Sequence, residues 1–115
     1  MKSCADQFID LCLKCDEYTK VGVKRHNRAV KELSALYHKI EADKNFAGEL
    51  YDSLLDHHDE RVRSTAAAHS LGMNVNISKA ESVLRDIAAN SSNPFSRFNA
   101  EMTLQTWKKR GYLCF

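Results

Sequence analysis

The chain has 115 residues, enough for one ordinary domain and too few for two separate cores. Hydrophobic residues make up 43% and charged residues 28%, values typical of a soluble globular protein, and with only four glycines and one proline the composition favours helices. The formal net charge of +2 is too small to indicate a nucleic-acid partner by itself.

Two further classes are set aside by pattern. The apolar residues near the start are interrupted by Asp6, Asp10, Lys14 and Asp16, which does not fit a secretory signal. No stretch of about 18 apolar residues is present, which argues against a membrane span. Four cysteines stand at 4, 12, 15 and 114, and Cys12 with Cys15 falls on an apolar helical stripe. Buried free thiols in a reducing, cytoplasmic setting are the expected state.

Helical periodicity divides the chain into six elements. The first is expected over about Cys4 to Tyr18, opened by Ser3 and Asp6 as a weak capping box, with Phe8, Leu11, Cys12 and Cys15 inward. Gly22 punctuates the segment 19–23. A second helix over about Lys24 to Ala42 aligns Val30, Leu33, Leu36, Tyr37 and Ile40. A third over about Phe46 to His57 buries Leu50, Tyr51, Leu54 and Leu55.

The later starts carry stronger signals. Asp59 can cap a fourth helix to about Met73, with Val62, Ala66, His69, Ser70 and Met73 on one side. Ser78 and Glu81 form a capping box for a fifth, burying Ala80, Val83, Leu84, Ile87 and Ala88. The sixth has Asn93 as N-cap, Pro94 at its first position and Lys108, Lys109 and Arg110 in its last turn, with Gly111 as the stop. Phe95, Phe98, Met102 and Trp107 are its expected anchors. No segment alternates with period two, and short linkers imply antiparallel neighbours. The expected fold is therefore all-α, one domain over 1–115, with about six helices in antiparallel pairs.

An internal echo refines this. Asp59 to Ala67 and Asn93 to Glu101 match at an offset of 34 residues. Each has a capping residue, an arginine four positions later (Arg63, Arg97) and an alanine three beyond that (Ala66, Ala100). The period is that of helical-pair repeats, in which small alanines allow close helix approach and the arginine can reach an acid or a carbonyl at the neighbouring pair.

Residues 54–71 resemble a HEAT-repeat unit. From Phe8 to Leu113 the chain is similar to a small bacterial family of HEAT/armadillo-like superhelical domains of unknown function. The likeness rests on the Phe8 helix, Asn27-Arg28, Leu54-Leu55-Asp56-His57 leading into Val62-Arg63 and Ala66-Ala67, Ala80 and Leu84, Ala100 to Leu104, and Gly111. The chain departs from it at Pro94-Phe95 and in its tail, Leu113-Cys114-Phe115. The resemblance implies a short right-handed α-superhelix. Bacterial domains of this size and fold further resemble immunity proteins, which would imply a cytoplasmic protein that neutralises a cognate toxin domain, contact-dependent or polymorphic. The alternative is a HEAT-like adaptor for a housekeeping protein.

Catalytic and metal chemistry find little support. Cys12-x-x-Cys15 lacks a second pair of ligands, and His57-His58 between Asp56 and Asp59 point different ways as neighbours in a turn. His69 falls on an apolar side, as a hydrogen-bonded interface histidine would. No nucleophile elbow or phosphate loop is present, so no catalytic residue, cofactor or metal is expected.

Charge offers the remaining signal. Residues 41–60 hold seven acids against Lys44 alone, a local net of −6, leaving +8 for the rest. Much of the base lies in 14–39, including Lys20, Lys24, Arg25, Arg28 and Lys31. Glu49, Asp52, Asp56, Asp59 and Glu60 would share about a third of a helix circumference if one helix ran through them. They form the candidate partner-binding face, suited to a basic protein such as a nuclease toxin. The same acids would repel a duplex, which argues against DNA or RNA.

Overall fold

The computed structural model describes residues 3–16 and 23–111. Six helices account for most of them: α1 (Cys4–Asp16), α2 (Val23–Glu41), α3 (Lys44–Leu54), α4 (Glu60–Met73), α5 (Ile77–Asn90) and α6 (Pro94–Arg110). The described residues contain no strand, so the fold is all-α.

Local chemistry sets most boundaries. Asp43, in extended conformation, accepts hydrogen bonds from the backbone N–H groups of Asn45 and Phe46. That cap starts α3 two residues before the expected Phe46, and the helix stops at Leu54 rather than His57. Asp59 caps α4 through the Arg61 N–H, and Asn93 caps α6 through those of Phe95 and Ser96. Gly111 ends α6 at φ 78°, where a side chain would be strained, and its N–H donates to the Trp107 carbonyl at 2.7 Å.

One expected start is corrected. Helix α5 begins at Ile77, after Asn76, and Ser78 lies inside its first turn instead of capping it. Asn74 and Asn76 both take left-handed backbone conformations, which fold the α4–α5 connection into three residues. The Asn76 amide is engaged elsewhere: its Nδ2 donates to the Gly48 carbonyl of α3 at 2.8 Å.

The core is continuous. Phe8, Leu11 and Cys12 of α1 meet Leu36, Tyr37 and Ile40 of α2, Tyr51 and Leu54 of α3, and Val62, Ala66, Ala67 and Leu71 of α4. It extends through Ala80, Leu84 and Ile87 to Ala100 and Leu104 of α6. Helix α4 is the hub, packing on α1, α3, α5 and α6. Its alanines are what permit so many neighbours, since a small side chain lets helix axes approach closely.

The 34-residue echo corresponds to matched turns. Asp59 donates its backbone N–H to His57 Nδ1, and Asn93 donates its own to Ser91 Oγ. Arg63 donates to the carbonyl oxygens of His57 (2.8 Å) and His58 (3.0 Å), and Arg97 to that of Ser91 (2.7 Å). Ala66 and Ala100 are both fully buried. In each copy the cap holds the helix start while the arginine, one turn on, closes the incoming linker. The carbonyl that the arginine reaches belongs to its own linker and not, as the repeat pattern led us to expect, to the neighbouring pair.

Inter-helix bonds also fix how these two pairs lie. Asn76, just before α5, bonds to Gly48 and Lys79 of α5 to Asp52, so the start of α5 runs past α3 in the same direction. Ser91, just before α6, donates to Glu60 at the start of α4 at 2.8 Å. The pair α3–α4 thus packs on α5–α6, chiefly through α4 against α5. The first pair does not continue this register: α1 packs mainly on α2 and α4, and α2 on α1 and α3.

Two packing expectations fail. Val30 is exposed on α2, and Phe95, Phe98 and Met102 do not anchor α6, being 64%, 59% and 43% exposed. Helix α6 is held instead by Ala100 and Leu104, with Trp107 partly buried against the core. At 100° per residue these three occupy the side opposite the Phe95–Phe98–Met102 stripe.

Candidate functional site

The five acids singled out from the sequence divide between two helices. Glu49 and Asp52 lie on α3, Asp56 follows in the α3–α4 link, and all three are exposed. Asp59 and Glu60 are half-buried at the start of α4, because the chain turns after Leu54. The face that one continuous helix would give all five is divided by the expected break before Asp59 into an exposed edge and a capping turn.

On the exposed edge, Lys79 reaches across from α5. Its Nζ lies 3.0 Å from Asp52 Oδ1, 2.7 Å from Asp56 Oδ2 and 3.1 Å from the Asp52 carbonyl oxygen, to all of which it donates. Hydrogen bonds to Asp56 and then Asp52 raise the lysine's pKa, so it stays charged. The two carboxylates remain open to solvent on their far sides. One ammonium against three carboxylates leaves this edge negative.

The capping turn is used internally. Asp59 accepts from the Arg61 backbone N–H, from Arg61 Nε at 3.1 Å and from Nη2 at 2.8 Å. Hydrogen bonding from the Arg61 side chain lowers the Asp59 pKa to about 2. Glu60 accepts from Ser91. Asp59 thus closes its own turn, and Glu60 ties the start of α4 to the link before α6.

His57 and His58 stack on one another with ring centroids 4.3 Å apart, and His57 Nδ1 is occupied by the Asp59 N–H. Among the described residues no group of three or more His, Cys, Asp or Glu could hold a metal ion. Cys12 is buried and Cys4 half-buried, both as thiols. The Cys15 side chain and Cys114 lie outside the described residues.

His69 is enclosed by aromatic rings, with Tyr37, Phe8 and Tyr51 centroids at 4.9, 5.4 and 6.1 Å, each edge to face. Its Nδ1 and the Tyr51 hydroxyl are 3.4 Å apart, a long hydrogen bond. Burial lowers the His69 pKa to about 3 and raises that of Tyr51 well above its usual value. Both are neutral at physiological pH. The imidazole joins α4 to the first three helices and is walled off from any substrate.

A shallow, open depression of about 340 Å³ lies between α1 and α2, lined by Gln7, Asp10, Leu11, Glu32, Ala35, Leu36 and Lys39. Its charged groups sit at an open rim. Of the basic residues in 14–39, the side chains of Arg28, Lys31 and Lys39 are described, and all three are exposed.

Periodicity in the sequence did not reveal Lys79, whose partners are 23 and 27 residues away. The exposed stripe on α6 did leave a signal: Ala100, Leu104 and Trp107 form a second apolar row that competes with it for the core. Comparison of the chain with models of known families, with curated proteins and with solved structures found no match. No described helix is long and apolar enough to cross a membrane.

Proposed function

We propose that this protein acts by docking on one other protein, and that it is an immunity protein that binds and neutralises a cognate toxin domain in the bacterial cytoplasm. The observation that carries the reading is the exposed α3 edge. Glu49, Asp52 and Asp56 face solvent there, with Lys79 bridging the last two. A surface of one sign on a rigid helix speeds encounter with a partner of opposite sign and fixes its register. The partner of matching chemistry is a basic protein surface, such as the substrate cleft of a nuclease toxin.

Lys79 gives the edge a built-in adjustment. Removing its charge leaves Asp52 and Asp56 uncompensated, so Lys79→Gln should quicken association at low salt. The double reversal Asp52→Lys with Asp56→Lys should slow it by about an order of magnitude or more. Both are exposed positions, so the far-ultraviolet spectrum should not change.

The test begins with capture of the tagged protein from its native host and identification of a stoichiometric partner. That partner should kill cells when expressed alone and spare them when this chain is co-expressed. Recovery of a harmless housekeeping assembly would make the protein an adaptor and remove the toxin reading. Association rates unchanged by the double reversal would remove the α3 edge.

A further inference from the structure

The two repeated turns make the same bond with different chemistry. The backbone N–H of a helix-capping residue is taken, in a capping box, by a Glu or Gln at the third helical position. That position is Val62 in α4 and Ser96 in α6. In both turns the N–H goes instead to a side chain two residues before the cap. Asn93 donates to Ser91 Oγ at 3.1 Å, and Asp59 donates to His57 Nδ1 at 3.0 Å. His57 and Ser91 are 34 residues apart, so they hold the same place in the echo. A serine hydroxyl accepts whatever the pH. An imidazole nitrogen accepts only while it carries no proton.

We propose that the α3–α4 link is a proton-operated latch. Its closed form requires a neutral His57 with the hydrogen on Nε2. Uptake of one proton at Nδ1 forms an N–H bond there, expels the Asp59 N–H and opens the start of α4. The imidazolium has a donor on each nitrogen, so two N–H groups would face each other at the old contact. Turning the ring over does not rescue the bond, because it puts a C–H where Nδ1 was.

The groups around the turn favour opening over accommodation in place. His58 stacks on His57 with centroids 4.3 Å and planes 26° apart, so a charge on one ring opposes a charge on the other. Arg63 of α4 donates to the carbonyl oxygens of both histidines and sets a fixed cation at the link. The nearby carboxylates are engaged: Asp59 with Arg61, Asp56 with Lys79 of α5, and Glu60 with Ser91. Asp52 of α3 shares Lys79, and Arg97 of α6 is bonded to the Ser91 carbonyl. Opening therefore starts at the link and loosens the two ties that leave it, Asp56 to α5 and Glu60 to the link before α6. The α5–α6 turn, closed by a hydroxyl, holds.

Heteronuclear NMR of the full chain from about pH 8 to 5, the range in which an imidazole changes charge, reads both turns in one sample. At the alkaline end the His57 ring should show a bare Nδ1 and a protonated Nε2. As the ring titrates, the Asp59 amide should shift and lose at least ~10-fold in exchange protection, after correction for the intrinsic effect of pH, as fits the loss of one hydrogen bond. The Asn93 amide should keep its protection. His69 stays neutral throughout, since burial lowers its pKa to about 3. His57→Ser gives this turn the acceptor of the other one, and the Asp59 amide should then be as indifferent to acid as that of Asn93. The tautomer and the comparison with Asn93 are both read in the unaltered chain, so neither depends on how well a variant folds. A hydrogen on Nδ1 at the alkaline end, equal changes at Asp59 and Asn93, or a transition that persists in His57→Ser would each overturn the latch.

Discussion

Helices α4 and α6 begin with the same machinery and finish in different surroundings. Asp59 and Asn93 cap them, Arg63 and Arg97 fasten the preceding links, and Ala66 and Ala100 seat them in the core. Beyond that point they diverge. Ala67 is fully buried where its counterpart Glu101 is exposed, and His69 is enclosed where Thr103 is half-buried and donates to the Asn99 carbonyl. The shared features govern how a helix is started and joined to the chain. The divergent ones record how many neighbours it has: α4 lies among four helices, whereas α6 packs on α5 and α4. One local pattern can serve as the centre or the edge of a stack, and the residues between the fixed points decide which.

Exchanging residues between the copies should produce the largest effect. Ala67→Glu puts into the hub the residue that the edge tolerates. A carboxylate would then be buried among apolar side chains without a partner, at a cost of about 3–5 kcal/mol. That is comparable with the whole stability of many domains of this size. The reverse exchange, Glu101→Ala, removes an exposed charge and should alter stability by no more than about 0.5 kcal/mol. Urea denaturation followed by circular dichroism measures both. Similar shifts in the two variants would show that α4 and α6 are not distinguished by their neighbours as described.

Acid should separate the copies next, because only α4 has a buried imidazole at the position compared. His69 has a pKa of about 3 when folded and near 6.5 when unfolded. Between those values the unfolded chain binds a proton that the folded one refuses, so stability falls as pH falls. The slope from this group approaches about 1.4 kcal/mol per pH unit, which amounts to about 2.3 kcal/mol between pH 6.5 and 4.5. His69→Gln keeps a polar side chain near the Tyr51 hydroxyl and removes the titration. Its stability should start lower at pH 7 and decline less steeply on acidification. Parallel pH profiles for the two proteins would contradict this account of His69.

The sequence was most readable where a structural role depends on adjacent residues. Asp59, Asn93, Pro94 and Gly111 perform the expected capping and stopping, and the Arg–Ala spacing identified two turns with the same bonding. Failures arose where distant parts of the chain compete. Asn76 stands at the start of α5 in place of Ser78 with its amide bonded to Gly48, a contact that nothing within α5 signals. Phe95, Phe98 and Met102 satisfy a helical stripe as well as Ala100, Leu104 and Trp107 do. Periodicity identifies both rows, but close approach to α5 and α4 favours the side bearing Ala100 and Leu104. The acidic face was legible in composition only. The turn after Leu54 separated its members, and Lys79 and Arg61 answered three of them.

The smallest expected difference concerns the feature that the copies share most closely. Arg63 donates to two linker carbonyls and Arg97 to one. Both guanidinium groups are partly solvated, which moderates the strength of these bonds. Arg63→Ala should cost about 1.5 kcal/mol and Arg97→Ala about 1 kcal/mol. Lysine should recover little in either case, since its single ammonium lacks the planar, multi-donor geometry of the guanidinium. The order is more informative than the size. If Arg97→Ala were the more damaging, the edge repeat would depend on its link more than the hub does, for the physical reason that α6 has fewer neighbours to hold it in place. If Arg63→Ala is worse, as the number of bonds predicts, the two links act as independent fasteners whose strength follows their own hydrogen bonds and not their position in the stack.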